Sequence, residues 1–292
     1  MTIRKVFQAG QRFLLPKKSY IQKCYKCFSM DINSTVALVT GSTSGIGLSI
    51  ASELLEQNAK AVIISGIRDQ QGEEAVRKLN DKYGQKRCEY LHLDTTNKKE
   101  FEDAFKLIFK KYGSLDILVN NAGILHDKEW EKTISVNING VVYGVILAKK
   151  YMSNKPSGAA VVNVASILGI DVIPYTPIYN LSKFAIVGLT RSFQNEEYFK
   201  NSGIKVVALC PGVTDTELVS SKVPMLYEEW TPKAFDELAS FVKQSSTVIG
   251  KAAAYVIKHG ETGTCWPVEG HVLYKADFPT RKDISIKISD LK

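Results

Sequence analysis

Val36-Ala37-Leu38-Val39-Thr40-Gly41-Ser42-Thr43-Ser44-Gly45-Ile46-Gly47 decides how this chain folds. Four apolar residues, Val36 to Val39, run straight into a glycine-rich turn. Beyond the turn Leu48, Ile50, Ala51, Leu54 and Leu55 recur at helical spacing. The stretch reads as a buried strand, a tight turn, and a helix whose first turn faces whatever lies above the strand. Gly41 can take a positive φ, and Gly45 and Gly47 carry no Cβ, so a ligand and a neighbouring strand can both approach. The unpaired N–H groups and positive dipole end of the helix suit a phosphate. The spacing G-x-x-x-G-x-G is a variant of the dinucleotide fingerprint. Taken alone, it also fits a plain turn built from small residues.

Downstream the chain alternates strand and helix. Strands are expected at Ala61–Ser65, Cys88–Leu93, Leu115–Val119, Ala159–Val164, Ile204–Leu209 and Thr264–Val268. Helices are expected at Asp69–Tyr83, Lys98–Tyr112, Trp130–Met152, from Ile178 to about Phe199, and at Val248–Ile257. Short apolar strands between helices imply an α/β fold: a doubly wound parallel sheet of about seven strands, in three α/β/α layers, as a single domain. Ligands of such sheets bind at the carboxyl ends of the strands, where strand order reverses. The unusual residues fall at those ends: Gly41, Gly66, Asp94, Asn121, Ser166 and Pro211-Gly212.

The 292 residues are 45% apolar and carry a net charge of +8. Residues 1–29 hold seven basic residues and no acid, so the rest of the chain is near +1. The charge gives no case for nucleic-acid binding. The five cysteines are odd in number and irregular in spacing, which favours a reducing compartment. Cys24-x-x-Cys27 has no second ligand pair, so no metal site is expected. No apolar run approaches the ~20 residues that span a bilayer. The basic extension, with Ile3, Val6, Phe7, Phe13 and Leu14 on one helical face, has the pattern of a mitochondrial presequence. A disordered arm, or a start at Met30, competes with it. A cytoplasmic enzyme is the first expectation and the mitochondrial matrix the second. The organisation is then an extension over 1–29, a body over 30–278 with a lid at about 220–246, and a polar tail over 279–292.

Tyr179 and Lys183 stand at i and i+4, one turn apart on one helix face, thirteen residues after Ser166. A free tyrosine titrates near ~10, and serving as a base near neutrality needs a shift of ~3 units, or ~4 kcal/mol. A unit charge ~4 Å away at an effective dielectric of ~20 supplies about that much. An ammonium beside the phenol is therefore sufficient in principle.

Thr40-Gly41-x-x-x-Gly45-Ile46-Gly47, Asn120-Asn121-Ala122-Gly123, Ser166, Tyr179-x-x-x-Lys183 and Pro211-Gly212, in this order, resemble the short-chain dehydrogenase/reductase family over about residues 34–275. Trp130-Glu131-Lys132-Thr133, Val136-Asn137 and Gly263-Thr264-Cys265-Trp266-Pro267-Val268 look most like its NAD-dependent 15-hydroxyprostaglandin dehydrogenase and insect-type alcohol dehydrogenase branches. The resemblance implies a Rossmann-type fold and hydride transfer between NAD and an alcohol or ketone, with NADP as the alternative cofactor. Tyr179 would be the general acid/base and Lys183 would lower its pKa and bind the nicotinamide ribose. Ser166 would hold the substrate oxygen, with Thr176 also at the substrate. Asn137, sixteen residues after Asn121, would position a relay water, with Asn139 as its neighbouring alternative. Cofactor contacts would come from Gly41, Ser42, Thr43, Ser44, Gly45, Ile46, Gly47 and Gly66. Asp94 and Thr95 would serve the adenine, Asn121 the adenosine ribose, and Val213, Thr214 and Thr216 the carboxamide and diphosphate. A homodimer is implied through the long helices after the fourth and fifth strands.

Two positions depart from the resembled pattern. NAD-preferring members end the second strand with an acid; here stand Gly66, Ile67 and Arg68. Arg68 could reach a 2′-phosphate, yet the glycine turn has no basic residue. At Thr176 the prostaglandin enzymes carry a glutamine that contacts substrate, which weakens the case for prostaglandin specificity and leaves a prostaglandin dehydrogenase-like or alcohol dehydrogenase-like activity. Val223, Met225, Leu226, Tyr227, Trp230 and Phe235 make the lid aromatic and apolar, so the expected substrate is a lipophilic alcohol. An NADPH-dependent carbonyl reductase is the alternative. A catalytically inactive dinucleotide-binding storage or sensor protein is a third reading, disfavoured by the intact Ser166, Tyr179 and Lys183.

Overall fold

The computed structural model describes residues 29–220, 224–286 and 288. The basic segment 1–28 with Cys24-x-x-Cys27, the lid residue Val223, and part of the expected tail lie outside the described residues.

In chain order the elements are β1 (Val36–Val39), α1 (Gly45–Glu56), β2 (Ala61–Gly66), α2 (Asp69–Tyr83), β3 (Cys88–His92), α3 (Lys98–Tyr112) and β4 (Ile117–Asn120). Then come α4 (Trp130–Ile134), a π-helical segment over Ser135–Asn139, α5 (Gly140–Tyr151), β5 (Ala159–Val164) and a 3-10 turn over Ile167–Gly169. The last part holds α6 (Pro177–Arg191), α7 (Glu196–Ser202), β6 (Ile204–Pro211), α8 (Glu217–Ser220), α9 (Trp230–Ala239), α10 (Ser246–His259), β7 (Cys265–Glu269) and β8 (Val272–Leu273).

The strands form one sheet in the order β3-β2-β1-β4-β5-β6-β7-β8. The first seven run parallel and β8 returns antiparallel to β7. The sheet thus has eight strands where about seven were expected. The added one is a two-residue hairpin arm after Gly270, which turns the chain at φ +55. Such a short arm leaves almost no periodicity to read. Order reverses between β1 and β4, and a crevice opens there at the carboxyl ends.

Why the strands are central is plain from their side chains. β1, β4 and β5 are buried at every residue. One face carries Ile50, Leu54, Ala253 and Val256 of α1 and α10. The other carries Phe101, Phe105, Val145, Leu147 and Ile186 of α3, α5 and α6. A fully buried Leu, Ile or Phe is worth about 1.5–3 kcal/mol, so these two layers supply the main driving force. Met30 and Ile32 already belong to the first layer, and the Met30 N–H donates to the Lys258 carbonyl.

Two helix expectations change. The stretch from Ile178 to about Phe199 is two helices, because α6 stops at Arg191 and Asn195 starts α7. The Asn195 side chain accepts from the N–H groups of Glu197 and Tyr198, an N-cap that turns the chain out of α6. Asn195→Ala is expected to lower stability by about 1 kcal/mol, read as a shift of the denaturant midpoint at unchanged slope. The helix expected over Trp130–Met152 is interrupted by the π-helical turn centred on Asn137. The polar lid segment is partly helical, with α9 packed by Ala234 and Leu238 onto a third apolar cluster.

Candidate active site

The glycine turn is as tight as its sequence demands. Gly41 has φ +58, and a Cβ there would stand 2.7 Å from the Ala122 Cα. A Cβ on Gly47 would stand 2.5 Å from Asn121 Nδ2 and 2.7 Å from the Gly41 carbonyl oxygen. Ser44 caps α1 in an extended conformation with no side-chain bond, and the first turn holds no acid. The first N–H groups of α1 are therefore left to a ligand.

A cavity of about 560 Å³ opens over this turn and runs along the carboxyl ends of the strands. Gly41, Thr43, Ser44, Gly45 and Ile46 line it. Ser42 does not. Its hydroxyl donates to the Val39 carbonyl and accepts from the Ser65 N–H, so it ties β1 to β2 behind the turn. Gly47 also stands behind the lining, where it lets α1 approach the turn. Asn121 lines the cavity, but its amide donates to the Thr40 and Gly41 carbonyls and braces the turn.

Asp94, Thr95 and Gly66 form the cavity end nearest β2 and β3. One Asp94 oxygen accepts from the Thr96 N–H and hydroxyl. A Cβ on Gly66 would lie 3.1 Å from Thr43 Cγ2, so the threonine methyl takes the room an acid would need. Arg68 reaches across the mouth to Glu217 at 3.3 Å. Val213, Thr214 and Thr216 line the opposite wall. Gln244 holds that wall: its N–H donates to the Val213 carbonyl, its amide donates to the Val268 carbonyl, and its oxygen accepts from the His271 N–H. Sequence reasoning missed Gln244, since nothing local links it to a segment thirty residues upstream.

Ser166, Tyr179 and Lys183 meet on the cavity floor. The Ser166 hydroxyl faces the Tyr179 phenol closely enough to favour its charged form. Ser166 Oγ also accepts from the Leu168 N–H at 3.1 Å and points to the Pro211 carbonyl at 3.4 Å. The Lys183 ammonium lies 5.4 Å from the Tyr179 ring centre and donates to the Val164 carbonyl at 3.1 Å. Burial pushes the Tyr179 phenol above its usual value, and Ser166 draws it partly back. Burial pushes Lys183 down to about 8. The expected lowering of the phenol by Lys183 is thus not what these side chains produce alone. Desolvation dominates at the phenol, and the Lys183 ammonium donates to the Val164 carbonyl.

Asn137 is buried behind this floor and does not line the cavity. Its oxygen accepts from the Ile124 N–H, and its amide donates to the Ile124 carbonyl and the Ser182 hydroxyl. Ser182 in turn donates to the Tyr179 carbonyl. Thr176 lines the cavity, but its hydroxyl donates to Asn180. Asp127, which sequence reasoning passed over, accepts from the N–H groups of Ile178 and Tyr179. An acid in the loop after Asn120-Asn121-Ala122-Gly123 was the available signal.

The cavity around Tyr179 is apolar. Leu125, Leu168, Ile173, Val213 and Leu238 surround Tyr179 in one cluster, with Phe241 packed against it. Trp230 of α9 stacks edge-on to Tyr175 at 5.8 Å and to Tyr227 at 4.6 Å, which fastens the lid.

A family model described as short chain dehydrogenase matches residues 35–226. A 15-hydroxyprostaglandin dehydrogenase [NAD(+)] of Macaca fascicularis is 35% identical over 194 residues, covering 66% of this chain and 73% of that protein. Alcohol dehydrogenase 1 of Ceratitis cosyra is 28% identical over 239 residues, covering 81% and 92%. A solved short chain dehydrogenase/reductase from Burkholderia phymatum, in complex with NAD, superposes with a TM-score of 0.70 at 20% identity, covering 78% of this chain and 86% of that one.

Proposed function

The chain belongs to the short-chain dehydrogenase family, and from that premise we propose that it oxidises lipophilic secondary or primary alcohols, reversibly, with NAD. The observation that carries this reading is that Ser166, Tyr179 and Lys183, with Tyr179 and Lys183 one helical turn apart, all line one cavity whose other end is the glycine turn. When bound, NAD supplies the acceptor for the hydride that leaves the carbinol carbon. The unfilled N–H groups of α1 and the Cβ-free turn fit its diphosphate. Asp94 and Thr95 would hold the adenine end, and Val213, Thr214 and Thr216 the nicotinamide end.

Tyr179 takes the proton of the substrate hydroxyl, and the Ser166 hydroxyl donates to the substrate oxygen. Lys183 supplies the positive charge that favours the phenolate as the proton leaves. Asn137 acts through its backbone, because its side chain is fully engaged with Ile124 and Ser182. The π-helical turn around it takes its backbone out of the regular i to i−4 ladder, and a relay water is assigned to that backbone.

Gly66 leaves the ribose end without its usual acid, but Arg68 is paired with Glu217, which opposes a 2′-phosphate there. Leu125, Ile173, Val213, Leu238 and Phe241 support an apolar substrate. A homodimer through α5 and α6 is part of this reading, supported by exposed Ile146, Leu181 and Phe184. So is a cytoplasmic location, supported by free, buried Cys88, Cys210 and Cys265.

Initial rates with secondary alcohols of graded chain length and both cofactors test it. kcat/KM is expected to rise with chain length, by up to about tenfold for each pair of buried methylenes. It is expected to be at least about tenfold higher with NAD than with NADP. A preference for NADP would overturn the cofactor assignment, and no turnover on any alcohol would overturn the activity.

A further inference from the structure

The loop after β4 holds a carboxylate that the chemistry above does not use. Asp127 is fully buried, and its two oxygens accept from the Ile178 and Tyr179 N–H groups, each at 3.0 Å. Those two residues follow Pro177, which has no N–H, at the start of α6. The residue in the N-cap place, Thr176, makes no capping bond and spends its hydroxyl on Asn180. The helix that carries Tyr179 is therefore capped from another element, more than fifty residues upstream. A serine or aspartate at position 176 would satisfy the same N–H groups locally. A buried carboxylate is a costly substitute, since burial penalises its charge.

We propose that Asp127 is a positioning residue of the dehydrogenase reaction: by gripping the Tyr179 backbone, its charge sets both where the phenol stands and how tightly it holds its proton. This rests on the reading of Tyr179 as the acid/base. The groups around the phenol are few. Ser166 faces it from the end of β5, Lys183 from its own helix, and Asp127 from the β4–α4 loop. Cys210 of β6 stands behind Lys183, and His126 stands beside Asp127. The negative charge of Asp127 raises the Tyr179 phenol, in the same direction as burial. Asp127 is itself raised by burial, which its two N–H donors and His126 oppose. Burial is the main cause that holds the proton on Tyr179, and the Asp127 carboxylate adds to it.

The test uses the full chain with Asp127→Asn and Asp127→Ser, both uncharged caps. NAD affinity is expected to stay within about twofold, because Asp127 touches no part of the glycine turn. kcat for alcohol oxidation is expected to fall about tenfold to a hundredfold as the phenol shifts. The rising limb of kcat/KM against pH is expected to move to lower pH in both variants, by roughly half a unit or more, because a negative charge has left the phenol's surroundings. A purely structural cap would lower the melting temperature and kcat and leave the limb in place, and that result overturns the proposal. So does wild-type kcat in either variant. If Asp127→Asn does not fold, Asp127→Ser decides alone on the same limb. Failure of the underlying reading would appear elsewhere, as full turnover in Tyr179→Phe.

Discussion

Tyr179→Phe is expected to lower kcat for alcohol oxidation by about 10³–10⁴-fold while NAD affinity stays within about twofold. The substitution removes one hydroxyl and keeps the ring, which is buried among Leu125, Leu168, Ile173 and Val213. Packing is preserved, so the fold loses little. Ser166, which faces the lost hydroxyl, keeps the Leu168 N–H and the Pro211 carbonyl within reach, so no buried polar group is stranded. What disappears is the hydroxyl proposed to take the carbinol proton directly. Ser166 has no base beside it, and the Lys183 ammonium is turned toward the Val164 carbonyl. The readout is NADH absorbance under saturating alcohol, with cofactor binding followed separately by fluorescence. Turnover at the wild-type rate would remove Tyr179 from the mechanism.

Gly47→Val is expected to weaken NAD binding by at least about 100-fold, close to 3 kcal/mol. A side chain at position 47 meets Asn121 Nδ2 at 2.5 Å, the Gly41 carbonyl oxygen at 2.7 Å and Ser42 Cα at 2.8 Å. Two of these are backbone of the turn itself and cannot rotate away. The third is pinned, because Asn121 Nδ2 donates to the Thr40 and Gly41 carbonyls at 2.9 and 2.8 Å. The valine must therefore push α1 off the turn, and the N–H groups that receive the diphosphate go with it. Isothermal titration with NAD measures the loss. Affinity within threefold of wild type would mean that the turn yields more easily than its geometry states. The two variants separate cleanly: the first removes chemistry and keeps binding, the second removes binding.

The parts that were legible in the sequence share one property, which is that they are local. A strand of Val36 to Val39, a turn at Gly41 and a helix after Gly47 are each set by residues a few positions apart, and the structure places them as read. Tyr179 and Lys183 share a helix face for the same reason. The missed features depend on partners distant along the chain. The Asn195 cap ends a helix that apolar spacing alone would continue. Ser42, a cofactor contact by the resemblance, has its side chain behind the cavity lining, where it accepts from the Ser65 N–H. Gln244 supports the wall at Val213 to Thr216 from beyond the lid.

The sequence by itself determined the alternating α/β order, the glycine turn and the serine, tyrosine and lysine that meet beside it. Periodicity and side-chain chemistry act over one or two turns of chain, and that is enough for those. Only the tertiary structure decided how the groups are charged and aimed. Burial, set by the packing of three layers, raises the Tyr179 phenol and lowers Lys183 to about 8, opposite to what the ammonium alone would do to its neighbour. It also decided that Arg68 faces Glu217 and that Asp127 grips Tyr179. Desolvation and long-range hydrogen bonds exist only once the chain has closed on itself.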